Sequence, residues 1–191
     1  MPQPNPPVLD FLAARRSHAR KSLAPPAPDR AALAAMLNVA LRVPDHGGLA
    51  PWRLVVLGRG ALDDLAALAA DRGAQLGLDD EQIAKGRGQF AEAALIVAVI
   101  AAPRPHPKVP AVEQILSAGA LCHNLVAVAL ASGWGACWIT GWCAHDPVFA
   151  REGLGLAEDE SVAGFVHIAT PTRVPADRPR PDLDAVTDWR M

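Results

Sequence analysis

Apolar residues at Leu33, Met36, Leu37, Ala40 and Leu41 recur at spacings of three and four behind Asp29, a good N-cap, and predict one face of a helix. Val8 to Ala14 reads as a shorter helix ending at Arg15-Arg16, and Ser17 to Pro28, with prolines at 25, 26 and 28, reads as a loop. Pro44-Asp45-His46-Gly47-Gly48 breaks the chain before a short apolar strand, Leu54 to Leu57. Ala61 to Gly73 and Asp79 to Ala91 follow as helices. Ala94 to Ala101 is apolar without alternation, as a strand covered on both faces should be. After the Pro-rich loop Pro103 to Pro110, Ala111 to Ala131 is predicted as the longest helix, with Glu113 favourably placed near its N-terminus. Its Ser117, Ala120, Asn124, Ala127 and Ala131 form a stripe of small side chains that would let another helix approach closely. Trp134 to Thr140 and Val162 to Ala169 complete the strands, and the tail beyond Pro171 reads as extended. These elements predict a single α+β domain over residues 1–191, a mixed β-sheet covered by helices.

Composition narrows the function classes. Hydrophobic residues make up 51% of the 191 positions and charged residues 20%, which predicts a substantial core. The net charge of −2 and the absence of Tyr argue against a nucleic-acid surface. The N-terminus lacks the basic and apolar segments of a signal peptide, and three cysteines are too few for a disulfide framework, so a cytoplasmic setting is expected. No Asp, Glu, Lys or Arg lies between Glu113 and Asp146, but Ser117, His123, Asn124 and Ser132 interrupt the run and basic flanks are missing. A buried helix followed by a strand accounts for that stretch better than a membrane span.

Several motifs fail on their chemistry. Val55-Val56-Leu57-Gly58-Arg59-Gly60 is a strand entering Gly-x-Gly, yet the third glycine of a dinucleotide turn is replaced by Asp63, with Asp64 beside it. Two carboxylates at a helix N-terminus would repel a pyrophosphate. Gly86-x-Gly88-x-x-Ala91 precedes its strand instead of following it. Cys137, Cys143 and His145 lack a fourth ligand and match no common zinc spacing, so no metal site is expected. Cys122 and His123 are adjacent, hence about 100° apart on a helix, and cannot form a nucleophile–base pair with each other.

Arg15-Arg16-Ser17 is a better candidate. Two guanidinium groups beside a hydroxyl suit a phosphate, although solvated charge at a helix C-terminus explains the same residues. A second basic cluster, Arg178-Pro179-Arg180, could meet the first on one anion. Arg42 and His46 flank Pro44-Asp45, in the kind of polar, Gly-rich connection that contacts ligands.

Taken in order, R-R-S after a short helix, Arg42-x-Pro44-Asp45-His46, then Pro51-Trp52 and a strand resemble the nitroreductase family, in particular its compact bacterial NAD(P)H nitroreductases. The likeness continues in Lys108-Val109-Pro110 with Glu113 and Gln114, in Ser117-Ala118-Gly119, in Gly133-Trp134-Gly135 leading to Trp138-Ile139-Thr140-Gly141, and in Gly164 to Pro171. It spans about Phe11 to Trp189. The resemblance implies an obligate homodimer with one FMN per subunit and NADH or NADPH as electron donor. It implies that Arg15, Arg16 and Ser17 hold the FMN phosphate and ribityl chain, and that Arg42 and His46 reach the flavin of the partner subunit. Trp138, Ile139 and Thr140 would run beside the isoalloxazine, and Val128, Ala129, Leu130, Ala131, Ser132 and Gly133 would lie near the nicotinamide nucleotide. Arg178 and Arg180 match a basic pair that neutralises phosphate in longer relatives.

Two departures stand out. Ala50 precedes Pro51-Trp52 where relatives usually carry Gln, and Ile139 replaces a basic residue between Trp and Ser/Thr. The leading expectation is an FMN-dependent oxidoreductase that passes hydride from NAD(P)H to a small-molecule acceptor such as a nitroaromatic or quinone by ping-pong turnover, with no catalytic side chain. The alternatives are a flavin-sequestering protein with little turnover and a Cys-dependent hydrolase on an unrelated fold.

Overall fold

The computed structural model describes residues 3–191. Helix α1 spans Pro6–Ala14, α2 Arg30–Ala40, α3 Arg59–Gln75, α4 Asp80–Ala91, α5 Ala111–Ala131, α6 Pro147–Leu154 and α7 Leu183–Val186. The strands are β1 Leu23–Ala24, β2 Trp52–Leu57, β3 Ile96–Ala101, β4 Gly135–Ile139 and β5 Ser161–Pro171. Local chemistry explains several boundaries. The Asp29 carboxylate accepts from the Ala32 amide at 2.8 Å, and Asp79 and Gln82 form a reciprocal capping box on α4. Helix α1 begins two residues before Val8 because Pro at the first turn lacks only an N–H that would be unpaired anyway.

Strands β1, β5, β3 and β2 lie in that order, and β4 also pairs with β5. The helix-covered α+β architecture is as the sequence implied. Every strand pairing among the described residues is antiparallel, however, so the sheet they form is not mixed in strand direction. A period of two specifies faces but not the direction of a neighbour, which is why the pattern could not supply this.

Strand β3 is buried along its whole length. Ile96, Ala98 and Ile100 pack with Leu62, Leu65, Phe90 and Phe149 beneath α3, α4 and α6. Val97, Val99 and Ala101 pack with Leu33, Met36, Leu121 and Leu125 of α2 and α5. The sheet therefore carries helices on both faces. α5 is the one helix among the described residues long and apolar enough to cross a membrane, and half of its most apolar stretch is buried inside the protein.

Part of the small-residue stripe on α5 serves this chain. Ser117 Oγ donates to the Pro44 carbonyl at 2.6 Å and accepts from Trp52 Nε1 at 3.1 Å. Asn124 Nδ2 donates to the Ala40 carbonyl at 2.8 Å, satisfying the end of α2. The large apolar side chains that α5 leaves exposed are Val112, Ile115 and Leu116, off that stripe.

Helix α6 is tied to α3 by charge. Asp146 takes Arg72 Nε and Nη2 at 2.9 and 3.1 Å and caps the Phe149 amide at 2.7 Å. Arg72 first, then the backbone amides of the helix, hold the Asp146 carboxyl below the usual carboxylate range against the opposing effect of burial. A depressed folded-state pKa stabilises the protein above the unfolded-state value, near 4, and that contribution is lost as pH falls through the folded value. Asp146→Ala removes the pair and the cap together and is expected to cost about 3 kcal/mol, whereas Asp146→Asn keeps a capping oxygen and should cost less. In denaturant titrations the gap between wild type and Asp146→Asn should close below about pH 4.

Candidate functional site

After α1 the chain turns extended at Arg15, and the His18 amide donates to the Ala136 carbonyl at 2.9 Å, hitching this segment to β4. That bond sets Arg15, Arg16, Ser17 and His18 along one side of a cleft of about 710 Å³. Cys137, Trp138 and Ile139 of β4 line it too, together with the tail from Arg173 to Arg178. Two distant basic segments thus converge, with Arg15, Arg16, Arg173 and Arg178 all on the cleft wall.

Hydrogen bonding singles out two atoms. Arg15 Nη1 and His18 Nδ1 are buried and have no partner among the described residues. Buried polar atoms are rarely left unpaired, and a buried guanidinium nitrogen even more rarely. Burial lowers the His18 pKa, so its ring is biased toward the neutral form. Arg16 is differently placed: its Nη1 donates to Asp177 Oδ1 at 2.9 Å and to the Ala176 carbonyl at 3.1 Å. A cationic cleft with an unpaired guanidinium nitrogen fits a phosphate ester, and its volume suits a mononucleotide.

Trp138 contributes a fixed aromatic surface. Its indole Nε1 donates to the Ala163 carbonyl at 3.1 Å, and the ring lies where a Cβ on Gly164 would stand, so only glycine fits beneath it. The side of β4 opposite Trp138 carries Ile139, which packs against the α3–α4–α6 core.

The remaining sequence candidates are distributed more widely. Thr140 does not line this cleft; its carbonyl accepts from Gln89 Nε2 at 3.2 Å. Arg180 lines an adjoining cleft of about 570 Å³ and donates to the Ala13 carbonyl. Of Val128 to Gly133, Leu130 lines that second cleft, Ala129 is fully buried in the core, and Ser132 closes the end of α5 through its bond to the Val128 carbonyl at 2.8 Å. Arg42 and His46 are exposed and line neither cleft. His46 Nδ1 lies 2.7 Å from Glu113 Oε2. The neighbouring Asp45 carboxylate gathers the Leu49 and Ala50 amides at 3.0 and 2.8 Å, and holds Ala50 at φ 45°, a left-handed conformation unusual for alanine.

Sequence reasoning missed His18, Arg173 and Asp177. His18 stands one residue past the R-R-S signal. The two tail residues acquire meaning only once the tail folds back on α1, which no local pattern announces.

The chemistry available from side chains is limited. Burial pushes the Cys122 and Cys143 thiols up to about 12 and Cys137 to about 11. His167, buried on β5 with Nε2 unpaired, is pushed down to about 3 by burial and by the nearby Arg20 charge. Among the described residues no group of three or more His, Cys, Asp or Glu side chains could hold a metal ion.

The profile of the Nitroreductase family matches residues 12–170. The chain is 34% identical over 164 residues to the Escherichia coli K12 protein named "Putative NAD(P)H nitroreductase YdjA", an alignment covering 86% of this chain and 88% of that protein. It is 32% identical to the Haemophilus influenzae "Putative NAD(P)H nitroreductase", over 85% and 88% of the two chains. Among solved structures, a nitroreductase-like family protein from Bacillus cereus superposes with a TM-score of 0.78 at 21% identity, covering 96% of this chain and 95% of the other. NfnB from a Sphigopyxis strain, described as an FMN and NADPH-dependent nitroreductase, gives 0.70 at 21% identity over 96% and 98%. This chain belongs to the nitroreductase family, and by that membership it is an oxidoreductase.

The thiols provide a direct check on the site's chemistry. Protonated and buried, all three should resist Ellman's reagent at pH 7.5 in the native protein and react together in denaturant. Rapid labelling of Cys137 in the folded chain would reveal a reactive cleft thiol.

Proposed function

We propose that this chain is a cytoplasmic FMN-dependent NAD(P)H oxidoreductase, built as one domain and working as a homodimer, that reduces nitroaromatics, quinones or similar acceptors. The observation that carries the reading is the unpaired, buried Arg15 Nη1 in a cleft lined by three further arginines. Bound FMN would supply the redox chemistry, taking two electrons from NAD(P)H and giving them to the acceptor after the oxidised nucleotide has left.

The residues of this chain bind and orient. Arg15, Arg16 and Ser17 face the phosphate end, with His18 beside them and Arg178 opposite; Arg180 adds its charge from the adjoining cleft. Trp138, immobilised over Gly164, forms the wall against which a planar ring is held, and the backbone of β4 at Ile139, leading to Thr140, continues along the ring's edge. Apolar Ile139 adds no charge to this wall, so stabilisation of negative charge on the ring falls to backbone dipoles and to groups from outside the chain. Leu130 is the part of the Val128–Gly133 segment suited to the nicotinamide nucleotide. Arg42 and His46, remote from this chain's cleft and supported by Asn124 and Glu113, are suited to a second subunit's site. Exposed Val8, Leu9 and Leu12 within α1, and Val112, Ile115 and Leu116 within the first two turns of α5, are apolar clusters that support dimerisation, since singly scattered surface apolar residues need no partner.

The test is a comparison of FMN with riboflavin, which lacks only the phosphate. FMN should bind the more tightly, as read from quenching of flavin fluorescence. Arg15→Ala should weaken FMN by tenfold or more, because a charge-assisted hydrogen bond contributes about 1.5–3 kcal/mol, and should leave riboflavin nearly unchanged. Equal wild-type affinities for the two flavins would overturn the phosphate assignment. Steady-state oxidation of NADH and NADPH by the loaded protein separates an enzyme from a flavin-sequestering protein. Sedimentation at micromolar concentration should give a dimer near twice 20.1 kDa, and a stable monomer would overturn the assembly.

A further inference from the structure

Among the described residues lining the cationic cleft there is one carboxylate, Asp177. It belongs to the tail that returns to α1, and hydrogen bonds fix it from two sides. Its Oδ1 accepts from Arg16 Nη1 at 2.9 Å and from the Arg178 amide at 2.8 Å, while the preceding Ala176 carbonyl takes Arg16 Nη1 at 3.1 Å. The carboxyl is held below its ordinary range by the Arg178 amide first, then by Arg16. An ion pair so exposed, with 81% of the Asp177 side chain accessible, contributes little to folding. Its position in the cleft is therefore the property to explain.

We propose that Asp177 is a built-in counter-anion that competes with the phosphate ester for Arg16, setting the cleft's affinity and its selectivity between charged and uncharged ligands. This rests on the phosphate reading above. Arg16 Nη1 already serves two acceptors, so an anion can use that nitrogen only by displacing the carboxylate, or by displacing the Ala176 carbonyl and lying against the carboxylate that stays. An anion reached instead through Nε or Nη2, which have no partner among the described residues, must settle beside a negative charge. Either route penalises a dianion and spares a neutral ligand with the same ring. The tail is tied down independently of this pair, by the Thr172 amide on the Ser22 carbonyl and by Arg180 on the Ala13 carbonyl. The consequence is a mononucleotide site tuned for exchange, weaker than its arginines alone would make it.

The competing expectation is that Asp177 aligns Arg16 for the phosphate, as a carboxylate behind an arginine can, and the two differ in sign. Asp177→Asn keeps the size of the side chain and an acceptor for Arg16 while removing the charge. Fluorescence titration at low ionic strength should find this variant binding FMN about tenfold more tightly than wild type, which corresponds to about 1.4 kcal/mol, with riboflavin affinity unchanged. The gain should shrink in 1 M salt, where the screening length is about 3 Å. Unchanged or weaker FMN binding by Asp177→Asn, in a protein whose wild type prefers FMN to riboflavin, overturns this inference and leaves the phosphate reading standing. No wild-type preference for FMN brings down both.

Discussion

The antiparallel register of β5 is the constraint from which the site follows. This strand pairs with β3 over residues 161–167, with β4 over 165–169 and with β1 at 170–171. Because side chains alternate between faces, a one-residue slip would carry Val166 and Ile168 out of the α5 layer and send His167 into it. The same register fixes β4, whose Cys137 and Trp138 stand opposite His167 and Val166. From Ala136 of β4 the hydrogen bond to the His18 amide then positions the two arginines. Thr172 extends this logic, its amide donating to the Ser22 carbonyl at 2.9 Å just before the tail turns toward α1. The cleft is thus assembled from chain segments about 160 residues apart, each indexed to one strand; the Arg16–Ala176 separation is 160.

Much of the scaffold was legible because its signals are local. Asp29 reads as an N-cap in the sequence and caps α2 in the structure, and the unalternating run at β3 is buried on both faces as such a run requires. Helix α6 escaped notice although Asp146-Pro147 is a helix-start signature and Gly155, at φ 63°, a helix stop. At eight residues it gives too few turns for periodicity to register. Strand β1 is two residues long amid prolines and exists because β5 offers it a partner. Strand β2 starts at Trp52, earlier than its β-branched run, since Pro51 and Trp52 continue the ladder toward Ala102 and Ala101. The site divides in the same way. R-R-S is readable as a cation pair, but the unpaired state of Arg15 Nη1 and the presence of Asp177 are properties of closure between termini.

The side chains around the cleft are better suited to holding a redox group than to performing acid–base or nucleophilic chemistry. Three thiols are kept protonated by burial, and buried His167 is kept neutral. What the fold supplies is rigidity. Trp138 is clamped between its bond to Ala163 and the flat surface at Gly164, with Gly119 of α5 near its outer edge. A planar partner meeting that wall loses little further entropy from the protein, and orientation of planar reactants is the contribution expected of a protein whose chemistry resides in a cofactor.

The charge distribution completes the physical picture. The whole chain carries a net charge of −2, yet four arginines converge on one cleft against a single carboxylate. Such concentration is costly in the folded state unless something offsets the mutual repulsion, and an acidic chain around a basic cleft draws anions to that place and not elsewhere. Asp177 offsets part of it within the chain. Prolines at 175, 179 and 181 restrict the tail on both sides of Arg178, lowering the entropy lost when that arginine is placed on the cleft wall. The tail is therefore both the source of positive charge and the source of its restraint. A mutation that frees it would remove two arginines and a carboxylate together, and only substitutions that separate the opposite charges can reveal how strongly the cleft is held back.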